Sequence, residues 1–276
     1  MIIEGLIGAG KSTLMTQLKA QNTDPELKYH LEPVDQYSSF MRGTKRFNPL
    51  KVMYYGDKSD KALVQSFLCE ESLKYYKDCL EQLGQEGDVK VFERFVYSNI
   101  NFIEAYFQQA ELSEFGKDYL LSKVLKNLNL ISNAPVCLVY LDISVPLALK
   151  RINERNRVGE QLITAEFLTH LKQAQLRLIS VMQQALPDML VFTIPIKEET
   201  SKEQVVELCQ KYITNVKRFD DGGWFLLHEP TSLKAKRLNK AIFKYCEKSD
   251  TLDEQARYKR RFTKFTLSPV TEVPPF

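Results

Sequence analysis

The opening thirteen residues constrain this chain more than any other stretch. In Met1-Ile2-Ile3-Glu4-Gly5-Leu6-Ile7-Gly8-Ala9-Gly10-Lys11-Ser12-Thr13, the residues Gly5, Gly10, Lys11 and Ser12 fill the spacing G-x-x-x-x-G-K-[ST] of the phosphate-binding P-loop. Glycines let such a loop curl until successive backbone N–H groups point inward at phosphate oxygens. A helix opening near Lys11 adds the positive end of its dipole. Lys11 is placed to reach the β- and γ-phosphates, and the Ser12 hydroxyl to ligate Mg²⁺. Apolar Ile2-Ile3 before the loop, and Leu14 and Leu18 at helical spacing after it, supply the strand and helix that this chemistry needs. Gly5 to Thr13, including Leu6, Ile7, Gly8 and Ala9, therefore form the candidate site for a nucleoside triphosphate, with ATP as the expected donor. The loop is silent about what receives the phosphate.

Strand candidates alternate with helices along the rest of the chain, the pattern of a parallel sheet covered on both faces. The strands are expected at residues 1–4, 28–34, 89–92, 136–143 and 190–196, and the helices near 11–20, 60–83, 98–109, 115–127, 145–154, 164–184 and 202–216. This is an α/β chain of three layers, helices on either side of a five-stranded parallel sheet. Its 276 residues, 44% of them hydrophobic, suffice for one such domain and an appendage. Asp220-Asp221-Gly222-Gly223 reads as a linker or turn, which divides a domain at residues 1–217 from a largely helical extension at 218–276. In the extension Leu238, Ile242 and Tyr245 recur at helical spacing, and Pro269, Pro274 and Pro275 make its end extended.

The net charge of +3 is too small to imply a polyanion, so no specific nucleic-acid partner is expected. The basic excess sits in the tail, with thirteen Lys and Arg against eight Asp and Glu from Asn215 onward. Cys69, Cys79, Cys137, Cys209 and Cys246 are odd in number and never in C-x-x-C spacing, which points to a reducing compartment rather than a zinc site or a disulfide framework. There is no apolar run of membrane-spanning length, and the first strand begins at Met1, so a cytoplasmic location, or a nuclear one by diffusion, is expected and no membrane partner.

In an open parallel sheet ligands gather at the carboxyl ends of the strands. Pro33 keeps Glu32 extended, aiming its carboxylate at the cleft beside the P-loop. Glu32 is either a base for an acceptor hydroxyl or a solvated strand-end group. Glu93-Arg94 ends the third strand. There Glu93 can bind Mg²⁺ directly or through water, and Arg94 can offset charge on the transferring group; the alternative is a surface ion pair. Arg151 and Arg155, an i,i+4 pair, are followed by Arg157 and Glu160, either a lid over the transferring phosphoryl or a solvated face. Gln65, Leu68 and Ser72 share one helical stripe, from which the Gln65 amide can read a nucleobase edge or meet a structural partner.

Taken together, the P-loop, Glu32-Pro33-Val34, Met53-Tyr54 with Gln65 eleven residues on, Glu93-Arg94 with Tyr97-Ser98, and Arg151-x-x-x-Arg155-x-Arg157-x-x-Glu160 resemble the deoxynucleoside kinase family over roughly residues 1–196. The resemblance implies that Glu32 is the base for the 5′-hydroxyl, that Tyr54 and Glu160 hold the sugar 3′-hydroxyl, that Gln65 contacts the base, and that the chain forms a homodimer. It also brings departures. Tyr37 stands where the family has Trp, and Phe95 replaces the Ser after Glu-Arg. Asn99-Ile100 replaces an acid-arginine or alanine-arginine pair, and Ile103, beside Phe102, takes the place of the stacking Phe. The loop at Pro195-Ile196-Lys197-Glu198 lacks the family's acidic signature, and the extension lies beyond where family members end.

The expected activity is ATP- and Mg²⁺-dependent phosphorylation of a deoxyribonucleoside 5′-hydroxyl. Arg94, Arg151, Arg155 and Arg157 neutralise the transferring group, and Ser12 and Glu93 hold the metal. Leu68, Ser72 and Asn99 provide no charged pair, which favours pyrimidines, thymidine included. Two other readings are a nucleoside monophosphate kinase, such as a thymidylate kinase, and a nucleotide-binding assembly subunit without catalysis.

Overall fold

The computed structural model describes residues 1–34, 40–42, 45–81, 89–128, 135–157, 159–221 and 231–248. The strands β1 (Ile2–Gly5), β2 (Leu27–His30), β5 (Val89–Glu93), β6 (Cys137–Ile143) and β7 (Leu190–Ile196) form one parallel sheet in the order β2-β5-β1-β6-β7. A hairpin of β3 (Phe40–Arg42) and β4 (Lys45–Phe47) stands apart from it. The helices are α1 (Lys11–Gln21), α2 (Pro49–Tyr55), α3 (Lys58–Glu81), α4 (Ser98–Gln108), α5 (Glu114–Leu128), α6 (Val145–Arg155), α7 (Ala165–Ala185), α8 (Lys202–Asp221) and α9 (Thr231–Lys248). A short 3-10 turn, Glu160–Leu162, follows α6.

Alternation along β1 explains the layering. Ile2 joins the core under α3, α4, α5, α7 and α9, whereas Ile3 joins the core under α1, α6 and α8. Neighbouring strands repeat the division: Phe92, Leu138 and Tyr140 face one side, and Val91, Val139 and Leu141 the other. Each fully buried Leu, Ile or Phe contributes roughly 1.5–3 kcal/mol, so a sheet packed on both faces is favoured over one with a wet side. With β1 at the centre, the end of β1, the end of β5 and the segment after β2 lie side by side.

The strand expected at 28–34 stops at His30, because Pro33 has no N–H to give to a ladder. Helix α2 and the β3–β4 hairpin were not expected, although Asn48 caps α2 by accepting from Lys51 N at 2.9 Å and Pro49 sits at the helix start. Helix α8 continues to Asp221, so Asp220-Asp221 are its last residues and not a turn. A pair of glycines is the first strong helix breaker after Val216, and the helix ends against it. Gly222-Gly223 and the proline-bearing end lie outside the described residues. In the extension, Leu238, Ile242, Tyr245 and Cys246 of α9 enter the same core as Leu120, Val124, Leu178 and Met182 of α5 and α7.

Candidate active site

A cavity of about 410 Å³ opens at the carboxyl ends of β1 and β5. Its floor is a set of interlocked charges. Lys11, only 6% exposed, donates from Nζ to the carbonyls of Gly5 at 3.0 Å and Leu6 at 2.8 Å. Burial, then the nearby Arg94 guanidinium, lowers the Lys11 pKa to about 8, against the pull of Glu4, Glu93 and Glu32. Ser12 Oγ donates to Glu93 Oε1 at 2.5 Å, and Glu93 Oε2 accepts from the backbone N–H of Glu32 at 3.3 Å.

Arg94 lies at the centre of the floor. Its Nε donates to Glu32 Oε2 at 3.2 Å and its Nη1 to Glu4 Oε1 at 2.7 Å, while the guanidinium stacks over Phe102 at 5.0 Å. Among the described residues the hydrogen bonds of the Arg94 side chain use only Nε and Nη1, leaving Nη2 over, and Arg94 lines the cavity. The Arg94 backbone is left-handed, φ 59°, a conformation that costs of order 1–3 kcal/mol in a residue other than glycine. Burial pushes the Glu32 carboxyl above its usual value, Arg94 pulls it back, and Glu93 raises it again. A carboxyl held in that way is suited to accept a proton.

Glu4, which the sequence reading passed over, is 5% exposed and is bound by Arg94, Ser98 and Gln175. A charged residue in the central strand of a parallel sheet must have buried partners, and that was the available signal.

Above the floor are the side walls of the cavity. Tyr54 from α2, Glu160, Arg155 and Arg157 line the cavity on one side. Burial, followed by the Glu160 charge, pushes the Tyr54 hydroxyl up to about 12, so it stays a hydrogen-bond donor. Gln65, Leu68 and Ser72 of α3 face Asn99 and Phe102 of α4 across the far end. Asn99 Nδ2 donates to Ser72 Oγ at 2.8 Å and to the Val96 carbonyl at 3.1 Å, and Ser72 Oγ donates to the Cys69 carbonyl at 3.1 Å. The aromatic wall is Phe102; Ile103 is fully buried in the core. Phe95 lines the cavity from the core side, packed edge-on or tilted against Phe92, Tyr76 and Tyr97. Tyr37 lies outside the described residues.

The arginines of the lid divide. Arg155 grips Glu160 with Nη2 at 2.6 and 2.7 Å and Nε at 3.0 Å, and Arg157 approaches the same carboxylate at 3.6 Å. Arg151 instead turns to a second cavity of about 310 Å³ on the other side of the loop, near the Lys197 carbonyl at 3.5 Å. Of the loop residues, Ile7 and Ser12 line the first cavity and Ala9 the second; Gly8, Gly10 and Thr13 line both. Leu6 is core, and Gly5 contributes backbone. At Gly8, φ 85°, a Cβ would meet the Ala148 carbonyl at 2.7 Å, so no other residue fits that curl. Gly159, φ 90°, carries the lid so close to Tyr54 that a Cβ would lie 2.4 Å from its ring.

A nucleotide site between a P-loop, a floor of carboxylates and an arginine lid defines a phosphoryl-transfer protein. The profile of the family "Deoxynucleoside kinase" matches residues 1–214, and the chain belongs to that family. Among its relatives is the deoxyguanosine kinase of Bacillus subtilis, 28% identical, over 70% of this chain and 84% of that one. Another is the mitochondrial NADH dehydrogenase [ubiquinone] 1 alpha subcomplex subunit 10 of Mus musculus, 26% identical over 80% of this chain. The match spans 62% of that mouse protein's length. In fold the chain is similar to the deoxyadenosine kinase of M. mycoides with bound dATP, with a TM-score of 0.59 at 21% identity. That match covers 77% of this chain and 98% of the other.

Proposed function

We propose that this protein transfers the γ-phosphoryl group of ATP to the 5′-hydroxyl of a deoxyribonucleoside. One observation carries the reading: Glu32, a partly buried carboxyl with a raised pKa, lines the cavity beside Arg94, on the same floor as Lys11 and Ser12. The acceptor oxygen attacks phosphorus, its proton passes to Glu32, and the bond from phosphorus to the bridging oxygen of the leaving diphosphate breaks. The loop amides and Lys11 hold the donor phosphates, and Nη2 of Arg94 faces the transferring group. Arg155 and Arg157 reach it by giving up Glu160, which then accepts from the sugar 3′-hydroxyl while Tyr54 donates to the same oxygen. The second cavity, with Arg151, suits the donor base.

The Ser12 hydroxyl and Glu93 carboxylate, 2.5 Å apart, form an oxygen donor set of the kind Mg²⁺ takes when phosphates and water supply its other ligands. Bound there, the ion would neutralise phosphate charge. Asn99 spends its N–H groups on Ser72 Oγ and the Val96 carbonyl, and Ser72 its O–H on the Cys69 carbonyl, whereas Gln65 Nε2 meets only the weak acceptor Cys69 Sγ at 3.7 Å, so the Gln65 amide is the principal reader of the base. A single amide against apolar walls favours the smaller, pyrimidine bases, thymidine included. The five cysteines are all buried free thiols, which supports a reducing, cytoplasmic setting.

A second reading, an assembly subunit without catalysis, is supported by similarity to the mouse NADH dehydrogenase subunit. The intact floor argues against it. Labelled ATP with the four deoxynucleosides, and separately with their monophosphates, decides among the readings. Labelled 5′-monophosphate from a nucleoside supports the proposal, turnover of monophosphates alone supports a monophosphate kinase, and ATP binding without turnover supports the subunit.

A further inference from the structure

Below the cavity, outside its lining, a second layer of polar groups converges on Glu4. Its Oε1 accepts from Arg94 Nη1 at 2.7 Å, from Gly5 N at 3.1 Å and from Gln175 Nε2 at 3.2 Å, and its Oε2 accepts from Ser98 Oγ. Gln175, fully buried on α7, also donates to the Gly5 carbonyl at 3.1 Å. These donors come from the P-loop, the end of β5, the start of α4 and the middle of α7. Four donors converge on this one carboxylate, three of them on Oε1. Glu4 is buried and outside the cavity lining, so its action runs through the residues it holds.

We infer that Glu4 is the positioning residue that keeps Arg94 from closing on Glu32, an inference resting on the proposed phosphoryl transfer. Arg94 has two carboxylates within hydrogen-bond reach, one on each side of its fork. The Nη1 contact with Glu4 is the shorter, at 2.7 Å, and the Nε contact with Glu32 the longer, at 3.2 Å. With Nη1 drawn down to Glu4, the guanidinium meets Glu32 through one nitrogen only and leaves Nη2 facing the cavity. Arg and carboxylate otherwise prefer a two-pronged, parallel contact. Without the Glu4 charge, Arg94 would swing into such a contact with Glu32, occupying the oxygen that must take the acceptor proton and withdrawing Nη2 from the phosphoryl group.

The experiment uses the full chain with ATP, Mg²⁺ and the best deoxynucleoside, and compares wild type, Glu4→Gln, Arg94→Ala and the double variant. Glu4→Gln is expected to lower kcat about thirtyfold while both KM values change by less than threefold, since donor and sugar contacts remain. In the Arg94→Ala background the same substitution is expected to change kcat by less than threefold, because the group it positions is gone. Glu4→Asp keeps the charge but withdraws it by a methylene. It should give an intermediate loss with the same dependence on Arg94, and it carries the test if Glu4→Gln fails to fold. An equal kcat loss in both backgrounds, or a loss carried in KM, overturns the inference. A wild type that turns over no deoxynucleoside overturns the proposed function, and the role of Glu4 with it; an active wild type with additive variants overturns Glu4 alone.

Discussion

The floor and the lid of the cavity carry similar charges under opposite conditions. On the floor, Arg94 is 4% exposed and meets Glu4 and Glu32; in the lid, Arg155 and Arg157 are 38% and 49% exposed and share Glu160. Charges on the floor are fixed by several elements at once, so they need no rearrangement as phosphoryl transfer begins, the condition under which electrostatic stabilisation is greatest. The arginines of the lid hang from the end of α6 and the segment after it, partly in water that screens them, and must exchange the buried Glu160 for another anion to act. The floor should therefore set whether chemistry happens, and the lid how readily substrates are captured and released.

That division can be broken by substitution. Lys11→Ala should have the largest effect, about 10³-fold in kcat/KM for ATP, measured by initial rates, since no neighbouring cation can replace a buried ammonium. Arg155→Ala should cost about ten- to thirtyfold, through KM as well as kcat, because the lost charge is exposed and Arg157 remains beside Glu160. A loss as large as that of Lys11→Ala would erase the distinction between floor and lid. Gly159→Ala tests the close approach of the lid to Tyr54. The added Cβ strains a φ of 90° and presses on Tyr54, and KM for the nucleoside should rise about tenfold with little change in KM for ATP.

The smallest effect is in pH. The folded-state pKa of Lys11 is depressed to about 8, so its ammonium form is present below that value and lost above it. A profile of kcat/KM for ATP, which reports free-enzyme groups, should fall to half near pH 8 and keep falling as pH rises. A profile flat to pH 10 would mean that Lys11 keeps its charge in spite of burial.

The same contrast governs what could be read from the sequence. The floor was largely legible, because the P-loop has fixed spacing and Glu93-Arg94 brings an acid and a base together at one strand end. Glu4 escaped notice as a lone acid inside an apolar strand, since its partners Arg94, Ser98 and Gln175 come from distant parts of the chain. The arginines of the lid were legible as a group but not in their placement: Arg151 and Arg155 share a helix face and both line the second cavity, yet only Arg155 also reaches the first, where it meets Glu160. Helical phase decided Phe102 over Ile103, which a local pattern left open. The helix of the extension was visible in Leu238, Ile242 and Tyr245. Its docking was not, because Tyr245 donates to Glu104 at 2.8 Å, a residue 141 positions away that also holds Arg177.

The central claim is that Glu32 takes the proton of a deoxynucleoside 5′-hydroxyl. Its most direct test compares wild type and Glu32→Gln in transfer of labelled phosphate from ATP to deoxynucleosides, with ATP affinity measured alongside. The account predicts labelled 5′-monophosphate from wild type, and a kcat lower by about 10²- to 10⁴-fold in Glu32→Gln with ATP affinity within a few fold. Undiminished kcat in Glu32→Gln would contradict it.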